Sequence, residues 1–225
     1  MNIKPILFNT EMVRAILEGR KTVTRRVIKP QPEMDLAYIM AGYQHGKWSY
    51  SPYVRPTYDK YKDSPKYWTP PCNTGDILYV RETWASVPDL FDEFPQYIYR
   101  ADYDENDLHL GAGNDQTLTD FPACVKWRPS IHMPKEAARI FLRVTDVRVE
   151  RLQNITGDEC PSEGVPLYSG PAGGREACYR FCFADIWDDT IKPSDLRDYG
   201  WSANPWVWVI KFEQYEMPKE EDNHE

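Results

Sequence analysis

A short basic segment near the start of the chain places a lysine and a threonine three positions apart. Lys21 and Thr24 lie within residues 19–26, which open an extended stretch in which Thr24 and Arg26 share one face. A lysine whose pKa is lowered by burial can act as a base toward a threonine hydroxyl, so the two residue types can form a base–nucleophile pair. A basic turn exposed to solvent accounts for the same residues without any chemistry.

A second candidate site lies where a predicted strand over residues 77–81 ends. Arg81, Glu82 and Trp84 together offer a forked donor, a carboxylate and a stacking face. Proteins hold unpaired bases with groups of these kinds, so we consider the three residues as substrate-binding residues. The alternative is a surface ion pair beside a buried tryptophan.

A third candidate is a loop with prolines at both ends, residues 129–134, which contains Ser130 and His132. Prolines stiffen a loop, and a stiff loop suits the wall of a binding site, although a single histidine is also common in a structural role.

Aromatic residues between positions 48 and 68 either stack bases or pack an insertion that has few aliphatic residues. No phosphate-binding glycine loop and no His/Cys cluster with metal-ligand spacing is found, so we expect neither a cofactor nor a metal.

The elements that must position these residues mix helices with short strands. Residues 10–17 have a helical apolar face, with Thr10 as the expected N-cap and Gly19 as the stop. A capping box at residues 156–159 predicts a short helix that ends at Gly164. Extended stretches are expected at 22–28, 77–81, 140–152 and 206–212, and a longer helix at 175–190. This alternation indicates the α+β class, with a small β-barrel as the expected core.

Composition indicates one globular domain. The chain has 225 residues, of which 41% are hydrophobic. We expect a single domain over residues 1–215 with irregular insertions at about 31–72 and 89–122, followed by a flexible acidic tail at 216–225. The sequence contains neither an apolar run of membrane-spanning length nor an apolar leader, so a cytoplasmic protein without membrane contact is expected. The five cysteines are odd in number and include no CxxC pair, which favours free thiols.

The charge distribution limits the kind of partner. A net charge of −8 argues against binding to duplex nucleic acid through many phosphate contacts. Residues 1–30 nevertheless carry seven Lys or Arg against two Glu, and residues 126–151 carry seven against three acidic residues. Two basic segments in an acidic chain indicate a local site for an anionic ligand.

The opening segment also carries a family resemblance. The pattern Gly19-x-Lys21-x-x-Thr24-x-Arg26 resembles the signature of ASCH domains, relatives of the PUA RNA-binding domains. Residues 74–78, 155–164 and 204–212 resemble the following turn and strand, the capped helix and the closing strand of that family. The opening at residues 5–10 and the loop at 129–134 are similar to those of the larger ASCH proteins of phages and prophages.

This resemblance implies a PUA-like small β-barrel with flanking helices. One group of small bacterial ASCH proteins hydrolyses N4-acetylcytidine, and the resemblance places its proposed catalytic Lys, Thr and Glu on Lys21, Thr24 and Glu163. Thr24 would attack the acetyl carbonyl, Lys21 would act as the base, and Glu163 would hold Lys21 or pass a proton to the leaving amine. Arg20 and Arg26 would help to bind the substrate.

Three functions are therefore considered. The first is an amidohydrolase acting on a modified nucleoside or nucleotide. The second is a reader of single-stranded RNA or of a modified nucleotide that performs no turnover, and the third is an ASCH-type ribonuclease. The sequence leaves the oligomeric state open.

Overall fold

The computed structural model describes residues 2–32, 43–44, 47–50, 66–86, 97–103, 126–167 and 174–217. Short 3₁₀ turns join the strands and helices in these ranges. The strands are β1 (Ile3–Leu7), β2 (Val23–Val27), β3 (Tyr43–Gln44), β4 (Lys47–Tyr50), β5 (Lys66–Trp68), β6 (Ile77–Arg81), β7 (Trp84–Ser86), β8 (Tyr97–Tyr99), β9 (Phe141–Arg151) and β10 (Trp206–Gln214). The α-helices are α1 (Thr10–Leu17), α2 (Arg175–Asp189) and α3 (Leu196–Tyr199).

Five of these strands form one sheet in the order β1-β6-β9-β10-β2. β1 runs parallel to β6, with Ile3 opposite Ile77, whereas β10 and β2 are antiparallel, with Ile210 opposite Thr24. A parallel pair needs a long crossover, and here the chain between β1 and β6 includes β2. The mixed α+β class is thus confirmed. The order places β1 and β2 at the two ends of the sheet, and closure into a barrel stays a prediction.

The described chain divides into two compact units. The first comprises Met1–Arg20, Ile77–Arg143 and Gln214–Glu225. Its helix α1 begins after Asn9, whose side-chain Oδ1 accepts a 2.9 Å hydrogen bond from the backbone amide of Met12. Thr10 is therefore the first helical residue and not the N-cap, because the asparagine before it already satisfies the exposed amide.

The second unit comprises Lys21–Asp76 and Val144–Glu213. Its core forms where α2 packs against β2 and β10, and Val23, Val209, Tyr179 and Phe183 are among the buried side chains. The apolar positions of α2 recur at helical spacing, with Tyr179, Phe183 and Trp187 buried. The predicted helix at 175–190 is confirmed, as are the strands expected at 22–28 and 206–212.

Most residues of the two expected insertions lie outside the described ranges. In the first insertion, the described strands β3, β4 and β5 form a separate three-stranded sheet. In the second insertion, the described strand β8 pairs with β7. The division into one domain with two insertions and an acidic tail stays a prediction, since residues 218–225 also lie outside the described ranges.

The expectation of free thiols is met at the four described cysteines, Cys72, Cys160, Cys178 and Cys182. Among the described residues, no helix is both long and apolar enough to cross a lipid bilayer. Within the same ranges, no group of three or more His, Cys, Asp or Glu side chains is arranged to hold a metal ion.

Candidate functional site

The candidate site of the second unit lies along one edge of β2. Just before this strand, Thr22 is hydrogen-bonded on both sides, because its carbonyl accepts from the amide of Phe212 and its amide donates to the carbonyl of Ser162. β10 thus covers one edge of the strand, and the 3₁₀ turn Pro161–Glu163 lies at the other. Glu163 is brought to the strand by this turn.

Two consecutive 3₁₀ turns, Gly157–Glu159 and Pro161–Glu163, place Glu163. The predicted capping box is present, with the Thr156 amide donating to Glu159 Oε2 at 3.2 Å. The expected short helix takes the tighter 3₁₀ form, because Pro161 has no amide to continue an α-helical ladder. Gly164 ends the segment with φ of 99°, which only glycine adopts readily, so the predicted stop is confirmed.

Lys21 is buried and surrounded by oxygen acceptors. Its Nζ lies 2.7 Å from the carbonyl oxygen of Val23, 2.6 Å from that of Glu163 and 3.1 Å from Glu163 Oε2. Burial lowers the pKa of Lys21 below its usual value, and the Glu163 carboxylate acts in the opposite direction. The structure therefore brings together two of the three residues expected to be catalytic.

Arg25 is a member of the same cluster that the sequence analysis missed. Its Nη1 donates to Glu163 Oε1 at 2.8 Å, and its Nη2 lies 3.3 Å from Glu159 Oε2 and 3.4 Å from Glu150 Oε2. The guanidinium is also 5.9 Å from the centre of the Phe183 ring. Strand alternation places residue 25 on the face of Val23, which packs in the core, and this was the one signal that Arg25 is buried.

Thr24 is buried in β2, with 3% of its surface exposed. The carbonyl oxygen that Lys21 binds belongs to the peptide bond joining Val23 to Thr24, so the lysine amine lies against the Thr24 backbone. Arg26 is half-buried, and burial lowers its pKa while Glu163 opposes that shift. Arg20 belongs to the other unit, where it pairs with Glu18 at 2.6 Å.

Arg81 and Glu82, which we expected to bind substrate, lie in the first unit and make internal contacts. Arg81 donates to the backbone carbonyls of Met133, at 2.8 Å, and Ile131, at 2.5 Å. The buried Glu82 carboxylate receives two hydrogen bonds from Arg139, at 3.0 and 3.1 Å. Burial raises the pKa of Glu82 and Arg139 opposes that rise. Both side chains thus brace the segment around residues 131–139.

The remaining expected binding residues of the first unit differ in accessibility. Trp84 is buried and meets the ring of Tyr97 edge to face, with 5.6 Å between the ring centres. The guanidinium of Arg128 lies 5.2 Å from the centre of the Trp84 ring. Ser130 and His132 lie in one 3₁₀ turn, in which Ser130 is half-buried and His132 is exposed. Of the five residues expected here, His132 is the one that is exposed, and the binding role of all five stays a prediction.

Comparison with known proteins adds one structural match. The chain matches a high-resolution crystal structure of an ASCH domain from Lactobacillus crispatus JV V101 with a TM-score of 0.33 and 10% sequence identity, over 95% of this chain and 79% of that chain. A TM-score this low carries no argument about fold or function, so the ASCH resemblance continues to rest on the sequence motifs. No protein-family model and no curated protein matches the chain.

Proposed function

We propose that this chain is an ASCH-type protein that recognises a modified nucleobase and removes the acyl group from N4-acylated cytidine. The observation that supports this most is the buried contact between Lys21 and Glu163, two residues 142 positions apart in the sequence. Two charged side chains are costly to bury, and a buried lysine with a lowered pKa, beside a hydroxyl-bearing strand, is a common property of functional sites.

The proposed reaction assigns each side chain one role. The Thr24 oxygen attacks the acyl carbonyl carbon while its proton passes to Lys21 Nζ. The bond between that carbon and N4 of cytosine then breaks, and N4 takes this proton from Lys21 Nζ as cytidine leaves, which returns the amine to its neutral form. Water, deprotonated by the same amine, attacks the acyl-threonine ester, and the proton then passes from Nζ to the Thr24 oxygen as the carboxylic acid is released.

Lys21 must start this reaction as a neutral amine. Burial favours that form, since it penalises the charged ammonium. Glu163 binds the ammonium formed by proton transfer through Oε2, which stabilises the charge that develops at Nζ.

A reader without turnover is the second candidate, and one observation favours it. The three oxygens around Lys21 Nζ match the three hydrogens of an ammonium group. A lysine held in this way is a fixed positive charge that could face an anionic or carbonyl group of a nucleotide without taking a proton.

Cytidine release from N4-acetylcytidine decides between the two candidates. The wild-type protein should form cytidine, with a rate that rises with pH through the lowered pKa of Lys21. Lys21→Arg and Thr24→Ala should each slow the reaction at least about a hundredfold, because a guanidinium stays protonated and alanine has no hydroxyl. Lys29→Arg is the matched control, since Lys29 is 55% exposed and pairs with Asp195 at 3.4 Å.

Two outcomes contradict the hydrolase, and a third contradicts only the role of Lys21 in it. If the wild type forms no cytidine but binds the nucleoside in calorimetry, the protein is a reader. If it cuts single-stranded RNA and leaves the acyl group in place, it is a ribonuclease. If Lys21→Arg keeps the wild-type rate, Lys21 is not the base.

A further inference from the structure

One carboxylate in the candidate site is shared between two cations. Glu163 is 5% exposed, and each of its side-chain oxygens has a different basic partner. Arg25 Nη1 binds Oε1 at 2.8 Å, and Lys21 Nζ binds Oε2 at 3.1 Å. The shorter contact belongs to the arginine, so the carboxylate is held more closely by Arg25 than by the lysine beside it.

Arg25 is itself held in place from several sides. Its Nη2 lies between the carboxylates of Glu159 and Glu150, and its guanidinium lies over the Phe183 ring. The side chain is 1% exposed. The guanidinium of Arg25 is planar and its hydrogen-bond donors have fixed directions. Because Arg25 is held in place, the Glu163 carboxylate bound to it has little freedom to rotate.

The charges around Lys21 come from two elements. Arg25 and Arg26 belong to β2, and Glu163 belongs to the turn that lies at the strand edge. Both arginines act to lower the pKa of Lys21 and Glu163 acts to raise it, while burial has the largest effect and lowers it. Glu159 and Glu150 neutralise Arg25 from its far side.

We propose that Arg25 is a positioning residue that binds one oxygen of Glu163 and leaves only the other to Lys21, and thereby controls how firmly Lys21 holds its proton. This inference rests on the proposed function, because the proton on Lys21 matters most if the residue acts as a base. It concerns a residue outside the Lys21, Thr24 and Glu163 set.

Removal of Arg25 has two effects on Lys21, and both act in the same direction. Glu163 can turn so that both of its oxygens face the ammonium, which favours the charged form. A positive neighbour also disappears, which favours it again. The pKa of Lys21 therefore rises, less of the amine is neutral near pH 7, and a base-catalysed reaction slows without a comparable loss of binding.

The test is an NMR titration of the Lys21 side chain in Arg25→Met, with the Nζ signal assigned by its loss in Lys21→Arg. Met preserves much of the apolar length of arginine but donates no hydrogen bond. We expect the pKa of Lys21 to rise by about one unit or more, the size typical for a charge at this range. Arg25→Lys, which keeps the charge but has no fork, should give a smaller rise.

Arg148→Met is the matched control. Arg148 binds Glu150 at 2.5 Å and lies 3.6 Å from Glu159, the two carboxylates that it shares with Arg25. It should leave the Lys21 titration within about 0.3 units of wild type, since partly exposed charges at longer range are screened. A residue that only packs the core would change the free energy of unfolding but not this titration.

The outcomes separate this inference from the proposed function. An unchanged Lys21 pKa in both Arg25→Met and Arg25→Lys, or an equal rise in Arg148→Met, overturns the role of Arg25 even if the wild type is an active hydrolase. If Arg25→Met does not fold, the titration of Arg25→Lys decides. A raised pKa in a protein that forms no cytidine supports Arg25 as the residue that sets the Lys21 proton, and only the acyl-transfer reaction is then wrong.

Discussion

Replacement of Glu163 by Gln removes one negative charge from a buried pair and keeps the side-chain volume. The partners are almost fully shielded, with 0% of the Lys21 side chain and 5% of the Glu163 side chain exposed, so solvent screening does little to weaken their attraction. Breaking a buried pair by removal of one partner costs about 3–5 kcal/mol. The Gln carbonyl can still accept from one cation, so we expect a loss near the lower limit, about 3 kcal/mol at neutral pH.

The loss should depend on pH. Lys21 has a folded-state pKa below its usual 10.5, so between those two values the unfolded chain binds more protons and stability rises with pH. In Glu163→Gln no carboxylate raises the Lys21 pKa, so the rise in stability begins at a lower pH than in the wild type. The deficit relative to wild type should therefore shrink as pH approaches the usual pKa, where Lys21 is neutral in both folded proteins.

Urea unfolding followed by tryptophan fluorescence at acidic, neutral and alkaline pH measures both effects. Glu159→Gln is the control, because Glu159 is 40% exposed and its contact with Arg25 is longer, at 3.3 Å. Gln also preserves the capping box, so the control should lose no more than about 1 kcal/mol. Equal losses in the two variants, or a Glu163→Gln deficit that stays constant with pH, would refute this account of the pair.

Two further predictions concern the segment that carries Glu163 and the free thiols. Gly164→Ala should reduce the free energy of unfolding by about 1–2 kcal/mol, since a side chain at φ of 99° is strained; an unchanged urea midpoint would contradict this. Burial raises the pKa of Cys160 to about 12, so iodoacetamide should label the half-buried Cys178 well before Cys160 in the native protein, as mass spectrometry of peptides can measure. Equal labelling of both thiols would show that Cys160 is accessible.

Local signals in the sequence predicted the elements of the second unit well. The capping box at 156–159, the glycine stop at Gly164 and the apolar spacing of α2 each depend on a few neighbouring residues. For that reason they could be recognised without knowledge of the fold. β1 was missed because it is short, with five residues and one proline, and its pairing with β6 involves residues far away in the sequence.

The candidate site shows where sequence reasoning ends. Lys21 and Glu163 were matched through the family resemblance, and their contact follows from the fold. Arg25 was missed because alternation in β2 tells which residues share its face but not which carboxylates cover it. Glu82 was expected to bind a base, whereas Arg139, 57 positions away, already occupies both of its oxygens. Partners so distant in sequence leave no local pattern.

The turn that supplies Glu163 also has a consequence for self-association. A strand at the end of a sheet offers unpaired amides and carbonyls to other chains, and proteins commonly protect such strands with charges or covering loops. On the side of β2 away from β10, the carbonyl of Ser162 accepts a hydrogen bond from the amide of Thr22. The Lys21 amine donates a hydrogen bond to the carbonyl of Val23. The same contacts that hold the candidate site together thus cover the start of this edge, so we expect that loosening the turn would expose polar backbone groups there to other chains as well as disturb the site.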